Sequence, residues 1–244
     1  MIRHLSGLLT AFTLVTVSVF ALPAVANIGN EQFAGEADSR LWRFKVSLND
    51  REIGRHDFLV SGKPNEKTVR ISADFDVKIL FINAYSYYHE NTETWKDGCL
   101  QQIESETDDN GDLLKVVGGS TSDGFLVETN SGNPRTISSE CVRSFAYWNP
   151  SFLESKQLLN SQTGKLVDVV ITGEGEDTLS INGTTIAAMR YEISMEEGPI
   201  TLWYTRDTSE WLALEAETGG RTLRYEPVEL PFSRNRESIP LAKR

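Results

Sequence analysis

Val69 to Phe81 reads VRISADFDVKILF, and its odd-numbered positions are Val, Ile, Ala, Phe, Val, Ile and Phe. Arg70, Ser72, Asp74, Asp76 and Lys78 stand between them. Alternation of this kind marks a strand with one face on a core and the other in water. One parity held this long exceeds the usual strand of roughly 5–6 residues, so the run is expected to bend, coil or carry a bulge where Leu80 and Ile82 break the pattern.

The same period continues on both sides. Upstream, Trp42, Phe44, Val46 and Leu48 alternate with Arg43, Lys45 and Ser47, and Asn49-Asp50 turns the chain into a strand carrying His56, Phe58 and Val60 on one face. Gly62 to Glu66 is a further turn. Downstream, Asn83 to Thr94 (NAYSYYHENTET) is aromatic and polar, Trp95 to Ile103 follows, and Asp108-Asp109-Asn110-Gly111 is an acidic turn. Short strands are expected at Leu113 to Val117, Gly124 to Glu128 and Arg135 to Ser138.

Residues 141–160 (CVRSFAYWNPSFLESKQLLN) break the pattern, and Asn149-Pro150 is a fitting start for a short helix. Strands then resume at Leu166 to Ile171, Asp177 to Ile181, Thr185 to Met195, Ile200 to Asp207, Trp211 to Glu217 and Arg221 to Tyr225. Asn182-Gly183 is a strong two-residue hairpin signal. LNDREIGRHDFLV from Leu48 echoes INGTTIAAMRYEI from Ile181, which suggests related hairpins near the two ends of a sheet. The pattern predicts an all-β fold, a strongly curled and mainly antiparallel sheet or incomplete barrel with at most one or two short helices. A single β domain is expected over residues 39–226, with a tail at 227–244.

The N-terminus has the parts of a secretory signal peptide. Arg3 is followed by an uncharged run from Leu8 to Leu22, and Ala24-Val25-Ala26 supplies the small-x-small site, predicting cleavage before Asn27. Residues 1–26 are read as the leader and 27–38 as a flexible segment. The apolar run is shorter than the roughly 20 residues of a membrane span, and no later stretch is long enough, so no integral span is expected after cleavage.

The formal charge is -11, which repels phosphate backbones and argues against a nucleic-acid partner. Two cysteines, Cys99 and Cys141, form an even pair in an exported chain and read as one structural disulfide.

Neither His56 nor His89 has zinc-ligand spacing, so no metal site or cofactor is expected. His56 shares parity with Phe58 and Val60 and reads as a tucked strand histidine. Asp108, Asn110 and Asp112 have part of a calcium-loop spacing, but Leu113 and Gly119 stand where that loop needs Gly and Glu. No GxSxG elbow is present, and no catalytic residue is assigned. Tyr85, Tyr87, Tyr88, His89 and Trp95 are the candidate ligand-binding residues, because amphipathic rings concentrated this closely can line a groove.

Phe75 to Glu90, Trp95 to Leu100 (WKDGCL), Thr107 to Gly111 (TDDNG), Leu158 to Lys165 (LLNSQTGK) and Leu202 to Glu226 together resemble a family of uncharacterised exported bacterial proteins classed as a domain of unknown function. The C-terminal pattern is also similar to a wider group of uncharacterised periplasmic curled-β-sheet proteins. The resemblance implies a curled antiparallel sheet and a periplasmic home, and it carries over no catalytic or binding residues.

The function favoured by export, aromatic excess and curvature is a non-enzymatic periplasmic binding or carrier protein for an apolar or amphipathic envelope component, a lipid or a glycan. The alternatives are an envelope hydrolase using His89 with a carboxylate from residues 104–112, and a structural or assembly protein whose aromatics are core.

Overall fold

The computed structural model describes residues 39–79 and 82–231. The leader at 1–26, the segment 27–38, Leu80-Phe81 and the tail from 232 onward lie outside the described residues. The strands are β1 (Arg40–Leu48), β2 (Arg51–Lys63), β3 (Glu66–Ile79), β4 (Ile82–Lys96), β5 (Cys99–Asp109), β6 (Asp112–Thr121), β7 (Gly124–Thr129), β8 (Arg135–Ile137), β9 (Gln157–Leu159), β10 (Leu166–Asp168), β11 (Val170–Ile181), β12 (Thr184–Ser194), β13 (Ile200–Thr205), β14 (Trp211–Thr218) and β15 (Arg221–Glu229).

Thirteen strands form one sheet in the order β11-β12-β13-β14-β15-β1-β2-β3-β4-β5-β6-β7-β8, and β9 and β10 form a separate two-stranded sheet. Every pairing within the large sheet is antiparallel. Two meanders, β1–β8 and β11–β15, are joined where β15 returns to β1, with Val46 opposite Tyr225. The echo hairpins therefore do not both sit near an end: β1–β2 is central and β11–β12 is at the edge.

Tight turns fix the register. Asn49-Asp50, Asp97-Gly98, Asn110-Gly111, Asn182-Gly183 and Gly219-Gly220 all have positive φ at both positions. These are two-residue connections whose left-handed backbone matches the twist of the strands they join.

The sheet is curled, and the chain between its two edges fills the inside. Residues 138–169 connect edge strand β8 to edge strand β11. Within them, Tyr147 lies 5.3 Å from the Trp211 ring on β14, and its neighbour Trp148 meets Trp95 of β4 edge-on at 5.5 Å. Five strand steps separate β14 from β4, roughly 24 Å in a flat sheet, so contact with both from adjacent residues requires the sheet to wrap around them. Phe152, Leu158 and Leu159 of the same segment are fully buried among Trp42, Phe44, Phe58 and Trp211 and the rest of one continuous core.

The segment is anchored along its length. Cys141 is bonded to Cys99 at the start of β5, with a Cα separation of 5.0 Å. Gly164 sits against Val116, Val127 and Thr129 with φ +67°, and a Cβ there would lie 2.9 Å from Thr129. Backbone conformation and space both call for glycine.

The structure gives several local readings their final form. Asn83 to Thr94 lies in β4, which pairs with β3 on one side and, from Tyr87 onward, with β5 on the other. Strand β3 ends at Ile79, which is paired with Ile82 of β4, and the bulge expected near Leu80 and Ile82 falls at Ala84, between the Val77–Tyr85 and Lys78–Asn83 pairs. Strand β15 continues to Glu229 and Leu230 is buried, so the sheet extends beyond 226. The helix opened by Asn149-Pro150 is a single 3-10 turn, Pro150–Glu154, with the Asn149 side chain accepting from the Ser151 N–H.

Candidate functional site

Directly opposed residues in an antiparallel pair share a face, so the register assigns each candidate to a side. Phe44, His56, Ala73, His89 and Thr107 form one row on the inner face, and Phe58, Ile71, Asn91, Ser105 and Val116 form the next. Tyr85, Tyr87, His89 and Trp95 all point inward. Tyr87, His89 and Trp95 are buried, and Tyr85 is half-buried with its hydroxyl donating to Asp109 Oδ1 at 2.7 Å. Tyr88 belongs to the opposite face and is 46% exposed. The five residues therefore do not line one surface.

The inner face of β4 is unusually polar for a core wall. Glu93 is 1% exposed and accepts hydrogen bonds from Asn91 Nδ2 and Trp95 Nε1, each at 2.9 Å, and from Ser144 of the inner segment. Burial raises its pKa above the usual carboxylate value, against the pull of those three donors. Glu93 thus ties the inner segment to the sheet.

His89 Nδ1 is 2.8 Å from Thr107 Oγ1, and burial pushes its pKa down to about 4. Its possible catalytic partners Glu104 and Glu106 are exposed on the opposite face of β5 from Thr107. Asp109 shares the inner face but is engaged by Tyr85. Asp108 accepts from the Gly111 N–H at 2.7 Å within the hairpin turn. His56 stacks on Phe58 at 4.3 Å and lies 3.1 Å from the Tyr225 hydroxyl; burial lowers its pKa to about 3. It is the tucked strand histidine its parity suggested.

Open concavities lie on the outer face. In β11, the pairs Gly173–Tyr191 and Gly175–Arg190 leave Glu174 as a bulge residue. The extra residue transfers the following odd-numbered side chains to the other face. Asp177 is thereby brought to the outer side, where its Oδ2 accepts from Trp203 Nε1 at 2.8 Å. The end of the β11–β12 hairpin borders a groove of about 480 Å³ together with β13, β14, β15 and β1. Leu179, Ile181, Trp203, Ala213, Pro227 and Val228 supply apolar lining, with Lys45, Glu215, Arg224 and Glu226 alongside.

Two of those cations are paired, Lys45 with Glu226 at 2.8 Å and Arg224 with Glu215 at 3.0 Å. A second hollow of about 550 Å³ adjoins, sharing Lys45 and Val228 and continuing to Arg55, Asp74 and Asp76. None of these residues is among the five ligand-binding candidates read from the sequence, because the bulge that assembles the groove has no apolar signature.

An antiparallel sheet wrapped around its own connecting segment, with grooves on its outer side, defines a curled-β class of protein. The chain belongs to the DUF6134 family, a domain of unknown function whose model matches residues 44–228. Among solved structures, the chain is similar to a beta-barrel-like protein of domain of unknown function DUF1849 from Brucella abortus. The TM-score is 0.60 at 10% identity, covering 79% of this chain and 97% of that one. That likeness is one of fold. No curated protein matches the chain.

Proposed function

We propose that this is a non-enzymatic binding protein of the periplasm that holds an amphipathic envelope component in the outer groove beneath the β11–β12 hairpin. The observation that carries the reading is the groove itself. Its volume of about 480 Å³ falls within the roughly 300–1,000 Å³ of small-molecule sites, and it offers Trp203, Leu179 and Ile181 beside paired charges. An apolar chain would be sheltered by the first set and a polar end by the second.

The hairpin is suited to admitting a ligand. Every residue of β11 keeps some exposure, so the strand is held by half-buried contacts and belongs to the less stable part of the fold. On the inner face, residues 141–169 are packed against the sheet, with Phe152, Leu158 and Leu159 fully buried. Export is supported by the leader-like N-terminus and by the Cys99–Cys141 disulfide, which suits an oxidising compartment. Among the described residues no helix is long and apolar enough to cross a membrane.

Native mass spectrometry of the protein isolated from its own export compartment tests the proposal. A bound mass of amphiphile size released on unfolding is the expected result. A clean apo mass, with no binding to a panel of lipid and detergent monomers, would overturn it.

A further inference from the structure

The two outer hollows meet at Lys45 and Val228, so they form one track with an apolar end and a charged end. Cross-strand pairing orders the charged end. Glu226, Lys45, Arg55, Asp74 and Tyr88 are opposed in sequence across β15, β1, β2, β3 and β4, all on the outer face. Directly opposed side chains of this kind stand about 4.5–5.5 Å apart at Cβ. Moving away from the Trp203 end, the track meets the Glu226–Lys45 pair, then Arg55 and Asp74, with Tyr88 next to Asp74 beyond the hollow's lining.

Two cations directly opposite one another are unfavourable unless an anion lies between or beside them. Glu226 satisfies Lys45. Arg55 stands directly opposite Asp74, and among the described residues neither takes part in a salt bridge. Arg55 is thus available to an anionic group lying next to a chain in the groove. Asp74 offers a negative charge and Tyr88, 46% exposed, a ring face, and that combination attracts a substituted ammonium.

We propose that the track takes an amphiphile with a zwitterionic head, its anionic group adjacent to the apolar chain and its cationic nitrogen outermost. The anionic group lies at Lys45 and Arg55, the nitrogen at Asp74 and Tyr88, and the chain runs toward Trp203, Leu179 and Ile181. This deepens the proposed function and rests on it.

The test uses three alkyl amphiphiles of one chain length, below their critical micelle concentrations, with an alkyl phosphate, a phosphocholine or a trimethylammonium head. Each is titrated calorimetrically into the wild-type protein, Arg55→Gln and Asp74→Asn. Both substitutions are on the solvent-facing side of paired strands, and circular dichroism verifies the fold. The phosphocholine amphiphile is expected to bind the wild type about tenfold more tightly than either other head, an increment of about 1.4 kcal/mol. Arg55→Gln is expected to abolish its advantage over the ammonium head, and Asp74→Asn its advantage over the phosphate head. Equal affinity for all three heads, or a preference unchanged by both variants, would overturn the head-group assignment and leave the groove reading standing. No binding of any of the three would overturn both.

Discussion

Trp148 packs edge-on against Trp95 at 5.5 Å, joining the inner segment to strand β4. The next residue back, Tyr147, meets Trp211 on β14, and the Tyr204 hydroxyl donates to the Tyr147 carbonyl at 2.8 Å. One stretch of irregular chain thus closes the space between walls far apart in the sheet order, and the curl encloses protein instead of an open cavity.

That arrangement makes the inner segment a main contributor to stability. Phe152 is 0% exposed, and truncating a buried Phe to Ala costs about 3–5 kcal/mol through lost burial and the cavity left behind. Phe152→Ala is expected to lower the urea midpoint accordingly. A change under about 1 kcal/mol would mean the segment is not integral to the core.

The disulfide fixes the start of the same segment to β5 across a separation of 42 residues. Closing a loop of that length stabilises by about 4 kcal/mol in the chain-entropy picture. Cys99→Ala together with Cys141→Ala is expected to lose stability of this order. Denaturation curves with and without reductant measure it, and the double variant should be indifferent to the reductant.

The buried titratable groups predict opposing pH effects. His56 and His89 have pKa values lowered to about 3 and about 4 by burial. The unfolded chain binds protons at these sites first, so their stabilising contribution, complete above about pH 6.5, falls as the pH drops toward the folded values. Glu93 is raised by burial, so its contribution is present below its unfolded value near 4.5 and is lost as the pH rises through its folded value. Stability should decline from about pH 6.5 toward pH 4, and Glu93→Gln should make the decline steeper by removing the opposing slope. Chemical denaturation at a series of pH values measures both, and an unchanged slope in the variant would contradict the Glu93 assignment.

The groove predicts a dependence on chain length. Each methylene removed from water contributes about 0.8 kcal/mol, so shortening a bound alkyl chain by two methylenes should weaken binding about tenfold. Ile181→Asp places a charge among the apolar lining and should weaken every member of the series with the fold intact. Affinity independent of chain length would show that the apolar end is not used.

Much of the fold was legible because most strands have one apolar face. The alternation at Trp42–Leu48 and Val69–Val77 reappears as buried and exposed positions of β1 and β3. Strand β4 was not legible, since its inward residues Tyr87, His89, Asn91 and Glu93 are themselves polar and leave little hydropathy contrast with the outward ones. Residues from 227 onward read as a tail, yet Pro227 lies in β15 beside the register shift at Arg43 and Phe44, where the ladder is already interrupted. The filling role of residues 141–169 was hidden because irregular chain has no period to read.

The candidate site was legible only in part. The aromatic concentration at Tyr85–Trp95 is real, but strand parity divides it: Tyr88 faces outward and the others serve the interior. The outer groove depends on one bulge residue, Glu174, and on β15 returning beside β1, neither of which leaves a local pattern.

The five tryptophans provide the most direct test of where the ligand lies. In an ¹⁵N-labelled protein each indole N–H gives a separate NMR signal, with Trp203 bonded to Asp177 at the outer groove and Trp95 bonded to Glu93 at the inner wall. Titration with a phosphocholine amphiphile is expected to shift the Trp203 signal and leave those of Trp42, Trp95 and Trp148 in place. Movement of Trp95 and Trp148 with Trp203 unchanged would contradict the account by placing the ligand inside the curl.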